Sequence, residues 1–174
     1  TPRIAQPVGG ASAEIDVDGL RARLRGEVVR PDDGGYDAAR QVFNAMIDRR
    51  PALIVRCAGP ADVIQGVNFA RDHDLEIAVR GGGHNVAGTA LCDDGIVIDL
   101  SAMRAVWVDP VGRTALVQGG ALWGDVDHET QAYGLATTAG IVGHTGVAGL
   151  TLGAGIGFLM QGPWTCGNRA WQSS

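Results

Sequence analysis

The chain has 174 residues, 45% of them hydrophobic and 19% charged, with a net charge of −5; this is enough for one substantial core or two small subdomains and excludes a chain disordered throughout. An acidic balance with no basic run argues against nucleic acid or an anionic membrane as the main partner. All 14 cations are arginine, so neither a Walker-type phosphate loop nor a pyridoxal Schiff base, both of which need lysine, can be built.

The opening TPRIAQPVGG carries no apolar stretch of signal-peptide length, and a cytoplasmic location is expected. Residues 14–26 predict a short amphipathic helix with Ile15, Leu20 and Leu24 on one side, 31–35 a turn, and 36–48 a second helix. Pro51 then introduces a βαβ pattern: a strand over 52–57, a helix over 61–74 with Val63, Val67 and Ala70 on one face, and a strand over 76–80. Next comes Arg80-Gly81-Gly82-Gly83-His84-Asn85-Val86-Ala87-Gly88, a glycine turn at the end of a strand. Three successive glycines strip the turn of Cβ atoms, so a ligand can lie against bare N–H groups; His84 reads either as a nucleophile at its lip or as a solvated loop residue.

Strand patterns follow at 95–100, 105–108 and 114–118, closely spaced as antiparallel neighbours are, and then a helix over 122–131 with Trp123 and Val126 inward, ending near Gly134. From Thr130 to Asn168 no Asp, Glu, Lys or Arg occurs, and Gly140, Gly143, Gly146, Gly149, Gly153, Gly155 and Gly157 punctuate the stretch too densely for a membrane helix, which predicts a turn-rich loop. Cys57, Cys92 and Cys166 are odd in number and lack CxxC spacing, so reduced, packed or free thiols are expected and not a disulfide framework or zinc site. The expected class is α+β, a small parallel βαβ unit followed by an antiparallel-sheet subdomain with helices.

The ordered series RGGGHNVAG, GIVIDLS, VQGGALWGDVDHETQAYGLA and TAGIVGHTGVAGLTLGAGIGFLM resembles the FAD-linked oxidases of the berberine-bridge-enzyme-like family, whose FAD domain is of the vanillyl-alcohol-oxidase or p-cresol-methylhydroxylase type. The resemblance implies that His84 is the residue joined to the 8α-methyl of FAD. It also implies that Arg80, Gly81, Gly82, Gly83, Asn85 and Gly88 wrap the pyrophosphate, with Arg80 as counter-charge. Thr145, Gly146, Gly149, Leu150, Gly153 and Gly157 would line the second side of the channel. Some members add a second flavin bond through a cysteine; the matching position here is Val142, so a single linkage is implied. His144 either touches the flavin or caps a turn. His73 and His128 fall on helices and are read as solvated, and Trp123 and Trp107 as core or subdomain contacts, with stacking on the isoalloxazine as the other option.

The implied chemistry is hydride transfer from an alcohol, amine or sugar carbon of a small molecule to flavin, then reoxidation by O₂. The implied layout is an N-terminal helical segment over 1–50, a p-cresol-methylhydroxylase-type FAD-binding domain over 51–160 and a divergent tail over 161–174, with no substrate domain. A catalytically silent FAD-binding module is the alternative. Sheet edges that face the missing half in relatives would be exposed, which makes a homo-oligomer the expected association.

Overall fold

The computed structural model describes residues 15–153 and 155–159. The chain divides into two units, whose described parts are residues 15–80 with 85–102, and residues 81–84 with 103–153 and 155–159. Cys166 and the expected divergent tail lie outside the described residues.

The first unit contains α1 (Val17–Arg21), β1 (Glu27–Val29), α2 (Tyr36–Ala39), β2 (Leu53–Arg56), α3 (Pro60–Asp72), β3 (Ile77–Arg80) and β4 (Ile96–Asp99). Its sheet has the order β1-β2-β4-β3, with β1 antiparallel to β2, and β4 parallel to both β2 and β3. The expected βαβ unit is present, but β4 lies between its two strands. The close spacing to the next strands pointed to an antiparallel partner; the composition of β4 carries the contrary signal. An uninterrupted Ile96-Val97-Ile98 run, buried along its whole length, is what a central parallel strand covered on both faces requires.

The buried face of α3 is Asp62, Gly66, Phe69 and Ala70, at the i, i+4, i+7, i+8 spacing of one helical stripe. Val67, expected inward, is exposed, because Gly66 sets the contact: a Cβ there would lie 2.6 Å from Ile98 Cδ1. Asp62 ties the chain together. Its carboxylate accepts from the N–H groups of Arg25 (3.0 Å), Gly26 (3.0 Å) and Ala58 (2.8 Å). Burial alone would raise its pKa, yet those backbone donors outweigh it and hold the carboxyl below the usual aspartate range. A lowered folded pKa contributes stability that is present above the ordinary aspartate range and is lost as pH falls through the folded value. Asp62→Asn should therefore cost about 2–3 kcal/mol near neutral pH, and the gap between the urea curves of the two proteins should close on acidification; a gap independent of pH would refute this role.

Two helices are shorter than expected. α1 covers 5 residues, and the helix predicted over 36–48 stops at Ala39. The guanidinium of Arg80 explains the second case: Nη1 donates to the carbonyls of Ala39 and, at 3.2 Å, Gln41, the groups that a continuing helix would use. Tyr36, Ala39, Ile54, Ala78, Leu91, Cys92 and Val97 close the core on that side, and Tyr36 Oη donates to Pro51 O at 2.7 Å. Cys57 and Cys92 are buried free thiols, pushed up by burial to about 12 and about 11.

The second unit contains the antiparallel hairpin β5 (Val106–Asp109) and β6 (Thr114–Val117), then α4 (Trp123–Gln131) and α5 (Val147–Gly153). α4 buries Trp123, Val126 and Thr130 as the pattern predicts. Trp107, in contrast, is 54% exposed. The glycine-rich stretch is not loop throughout, since α5 forms within it on Val147, Ala148, Leu150 and Thr151, with Leu150 N–H bonded to Gly146 O at 3.3 Å. Among the described residues, no helix is long and apolar enough to cross a membrane, and no cluster of three or more His, Cys, Asp or Glu could hold a metal ion.

Candidate functional site

Of the residues singled out in the sequence, Arg80, Asn85 and Gly88 belong to the first unit, and Gly81, Gly82, Gly83, His84, Thr145, Gly146, Gly149, Leu150, Gly153 and Gly157 to the second. In the first unit, the Arg80 side chain is buried and fully engaged. Nε and Nη2 donate to the two oxygens of Asp99 at 3.1 and 2.5 Å, and Nη1 to the Ala39 and Gln41 carbonyls. Its charge is thus neutralised by a fully buried carboxylate, and the expected counter-charge to a pyrophosphate is corrected to a strut that fixes the end of β3. Gly88 has φ +73, and a Cβ would lie 2.7 Å from Ile47, so its glycine is demanded by the fold. Asn85 is exposed and closes the same turn by accepting from Thr89 N–H at 3.2 Å.

The second unit brings the glycine turn and the glycine-rich loop together. Leu122 bridges Gly146 in antiparallel fashion, Val147 N–H donates to Ala121 O at 2.9 Å, and the first N–H groups of α4, from Trp123 and Gly124, donate to Thr145 O (3.0 Å) and Gly143 O (2.7 Å). The loop thereby caps α4, so those helix-end donors are consumed within the protein and do not serve an anion. Gly82 lies flat on this segment: a Cβ there would be 2.5 Å from Gly146 N, and a Cβ on Gly146 would be 2.5 Å from Gly82 N. Gly83 has φ +69. Among the described residues, no acceptor meets the N–H of Gly82 or Gly83. The turn is thus half-buried and free of side chains, with main-chain donors left over, as an anionic ligand needs.

His84 follows directly and is also half-buried. Its ring centroid is 5.0 Å from that of His144, at an interplanar angle of 45°. Burial holds its pKa below the ordinary histidine value, the nearby His144 imidazole pushes the same way, and a hydrogen bond to the His144 main chain opposes them. The net direction favours the neutral ring, the form with a lone pair available for bond formation at neutral pH.

Around this core the remaining glycines differ in kind. At Gly157 a Cβ would meet Ala139 O at 1.6 Å, so that contact is intolerant of any side chain, whereas Gly149 and Gly153 on α5 have nothing within 4 Å of such a Cβ. Leu150 packs against Gly140 and Gly155. Two features were not legible in the sequence. The buried indole Nε1 of Trp123 and the Thr151 hydroxyl have no hydrogen-bond partner among the described residues, and both belong to the elements that hold the glycine-rich loop.

The FAD binding domain family matches residues 51–167. The chain is 43% identical over 136 residues to (R)-6-hydroxynicotine oxidase of Paenarthrobacter nicotinovorans, spanning 78% of this chain and 30% of that protein. The crystal structure of 6-hydroxy-D-nicotine oxidase from Arthrobacter nicotinovorans superimposes with a TM-score of 0.76 over 78% of this chain and 30% of that one. The berberine-bridge-enzyme-like protein 1 of Physcomitrella patens, 26% identical, also gives 0.76, over 81% of this chain and 31% of its own. These likenesses bear out the α+β class and the p-cresol-methylhydroxylase-type FAD-binding architecture. The chain spans about a third of the length of these relatives.

Proposed function

We propose, since the chain belongs to the FAD binding domain family, that the glycine turn Gly81 to Gly83 and the loop at Thr145 and Gly146 hold FAD, and that His84 anchors it covalently. The observation that carries this reading is a half-buried, preferentially neutral imidazole directly following a glycine turn in which the N–H groups of Gly82 and Gly83 meet no acceptor among the described residues. Gly82 and Gly83 supply oriented donors to the anionic part of the cofactor. Gly146 leaves room for close approach, and Gly157 keeps the loop's return past Ala139 free of side chains. The Trp123 Nε1, which has no partner among the described residues, is a further buried donor beside the loop. When bound, FAD supplies two-electron redox chemistry.

In the anchoring role, one imidazole nitrogen of His84 would carry the bond to the 8α-carbon of FAD, with one proton lost from each partner and O₂ as the two-electron oxidant, giving hydrogen peroxide. The reaction we propose for the whole protein is oxidation of an alcohol, amine or sugar carbon of a small molecule with O₂ as acceptor. Denaturation in acid followed by gel separation tests the anchor: ultraviolet-excited flavin fluorescence should migrate with the wild-type band and be lost in His84→Ala. Fluorescence that persists in the variant would place the bond elsewhere.

A further inference from the structure

Trp123 and Thr151 stand on α4 and α5, the two helices that bracket the glycine-rich loop, and each buries a polar atom that the fold does not use. Trp123 is only 5% exposed, yet its indole Nε1, which can donate and not accept, meets no acceptor among the described residues. The Thr151 hydroxyl is buried and equally unmatched. A threonine inside a helix has a local partner within reach, the carbonyl four residues back, and Thr130 on α4 takes it, donating to Val126 O at 2.9 Å. Thr151 leaves that option unused. Unmatched buried groups of this kind destabilise the empty protein and call for a partner that the chain itself does not supply. The two atoms border one contact. A Cβ on Gly140 would lie 3.8 Å from Trp123 Cδ1 and 3.2 Å from Leu150 Cδ2. Cδ1 is the ring atom bonded to Nε1, so the donor edge of the indole faces the bare main chain of Gly140, and Leu150 immediately precedes Thr151. The Trp123 main chain is tied to the same loop through its N–H on Thr145 O, beside the Gly146 that abuts Gly82.

We infer that Trp123 Nε1 and the Thr151 hydroxyl are ligands of FAD, orphaned in the flavin-free protein and each hydrogen-bonded to an oxygen of the cofactor in the loaded one. This rests on the reading of the glycine turn and loop as the FAD site. Both atoms are sealed in the empty protein, so they become available when the contact of Gly140 with Leu150 opens. Glycine on one side of that contact leaves a single side chain, Leu150, to withdraw. Uptake of FAD and opening of the contact are therefore one event, and the hydrogen bonds gained offset its cost. The empty state carries two dry polar groups that the loaded state does not, which biases the chain toward the loaded form.

Indole N–H groups can be followed one by one in ¹H–¹⁵N NMR, and Trp123→Phe assigns the Trp123 signal. On addition of FAD to the wild-type protein, the ¹H and ¹⁵N resonances of that indole should both move downfield, as a donor that gains an acceptor requires. Affinity is read in the His84→Ala background, where no covalent bond hides the equilibrium. There Thr151→Val, which removes the hydroxyl and keeps the shape, should raise the Kd for FAD by about 10-fold, the loss of one buried hydrogen bond. The same change should leave the thermal midpoint of the flavin-free protein in place or raise it by about 2–4 °C. Thr130→Val is the contrast: its hydroxyl already has Val126 O, so the midpoint should fall and the Kd should stay. An unmoved indole signal in flavin-loaded wild type removes Trp123 from the ligands, and an unchanged Kd in Thr151→Val removes Thr151. The two results together overturn the inference while the FAD reading stands. A wild-type protein that takes up no FAD overturns both. If His84→Ala alone takes up none, the indole shift in the wild-type protein decides.

Discussion

Asp99→Ala should be among the most destabilising single substitutions in this chain, with an expected loss of about 3–5 kcal/mol. Asp99 is fully buried, its two oxygens take both donors of one edge of the Arg80 guanidinium, and Oδ1 also accepts from Ser101 N–H at 3.0 Å. Removing the carboxylate leaves a permanently charged guanidinium in the core of the first unit, bonded among the described residues only to the carbonyls of Ala39 and Gln41. The cost is that of an uncompensated charge and not the net worth of the pair, so the double replacement Arg80→Leu/Asp99→Leu should lose less than Asp99→Ala alone. Urea unfolding of the three proteins settles the matter: a double variant as unstable as the single one would mean that the hydrogen bonds to Ala39 and Gln41, not the ion pair, carry the energy.

That pair also shows where sequence reading stops. β2, α3, β3, the β5–β6 hairpin and α4 were legible because each is specified by its own local period, and the glycine turn was legible because three glycines after a strand have few uses. The end of α2 was not. Nothing within residues 36–48 forbids a helix; the terminator is Arg80, far along the chain, which takes the carbonyls of Ala39 and Gln41. The position of β4 between β2 and β3 likewise depends on partners, although its unbroken apolar run records that both faces are covered. In the site, the spacing of glycines marked the segment without distinguishing its members. Gly82 and Gly146 face backbone, Gly88 needs a positive φ, and Gly149 faces open space, and all four look alike in the sequence. Arg80 looked like a counter-charge for the same reason, since its buried partner Asp99 is revealed only by the pairing of β3 with β4.

The difference among glycines gives the second large effect. Gly82→Ala sets a methyl 2.5 Å from Gly146 N and 2.6 Å from its Cα, against main chain that also bridges Leu122 and leads into the α4 cap, so no side-chain rotation can relieve the overlap. Overpacking of this kind costs about 1–3 kcal/mol, and separating the turn from the loop also displaces His84 relative to His144, so flavin attachment should fall by at least about 10-fold. Gly149→Ala is the informative contrast. Its Cβ would meet nothing within 4 Å, and alanine in place of glycine inside α5 should leave stability unchanged or raise it by up to about 1 kcal/mol. If Gly149→Ala nevertheless weakens FAD uptake without loss of stability, the space beside Gly149 is occupied by the cofactor in the loaded protein, and its glycine is retained for the ligand. If both stability and uptake are indifferent to the added methyl, Gly149 leaves the binding surface, and the cradle contracts to Gly82, Gly83 and Gly146, where close contacts at Gly82 and Gly146 and the positive φ of Gly83 already demand glycine.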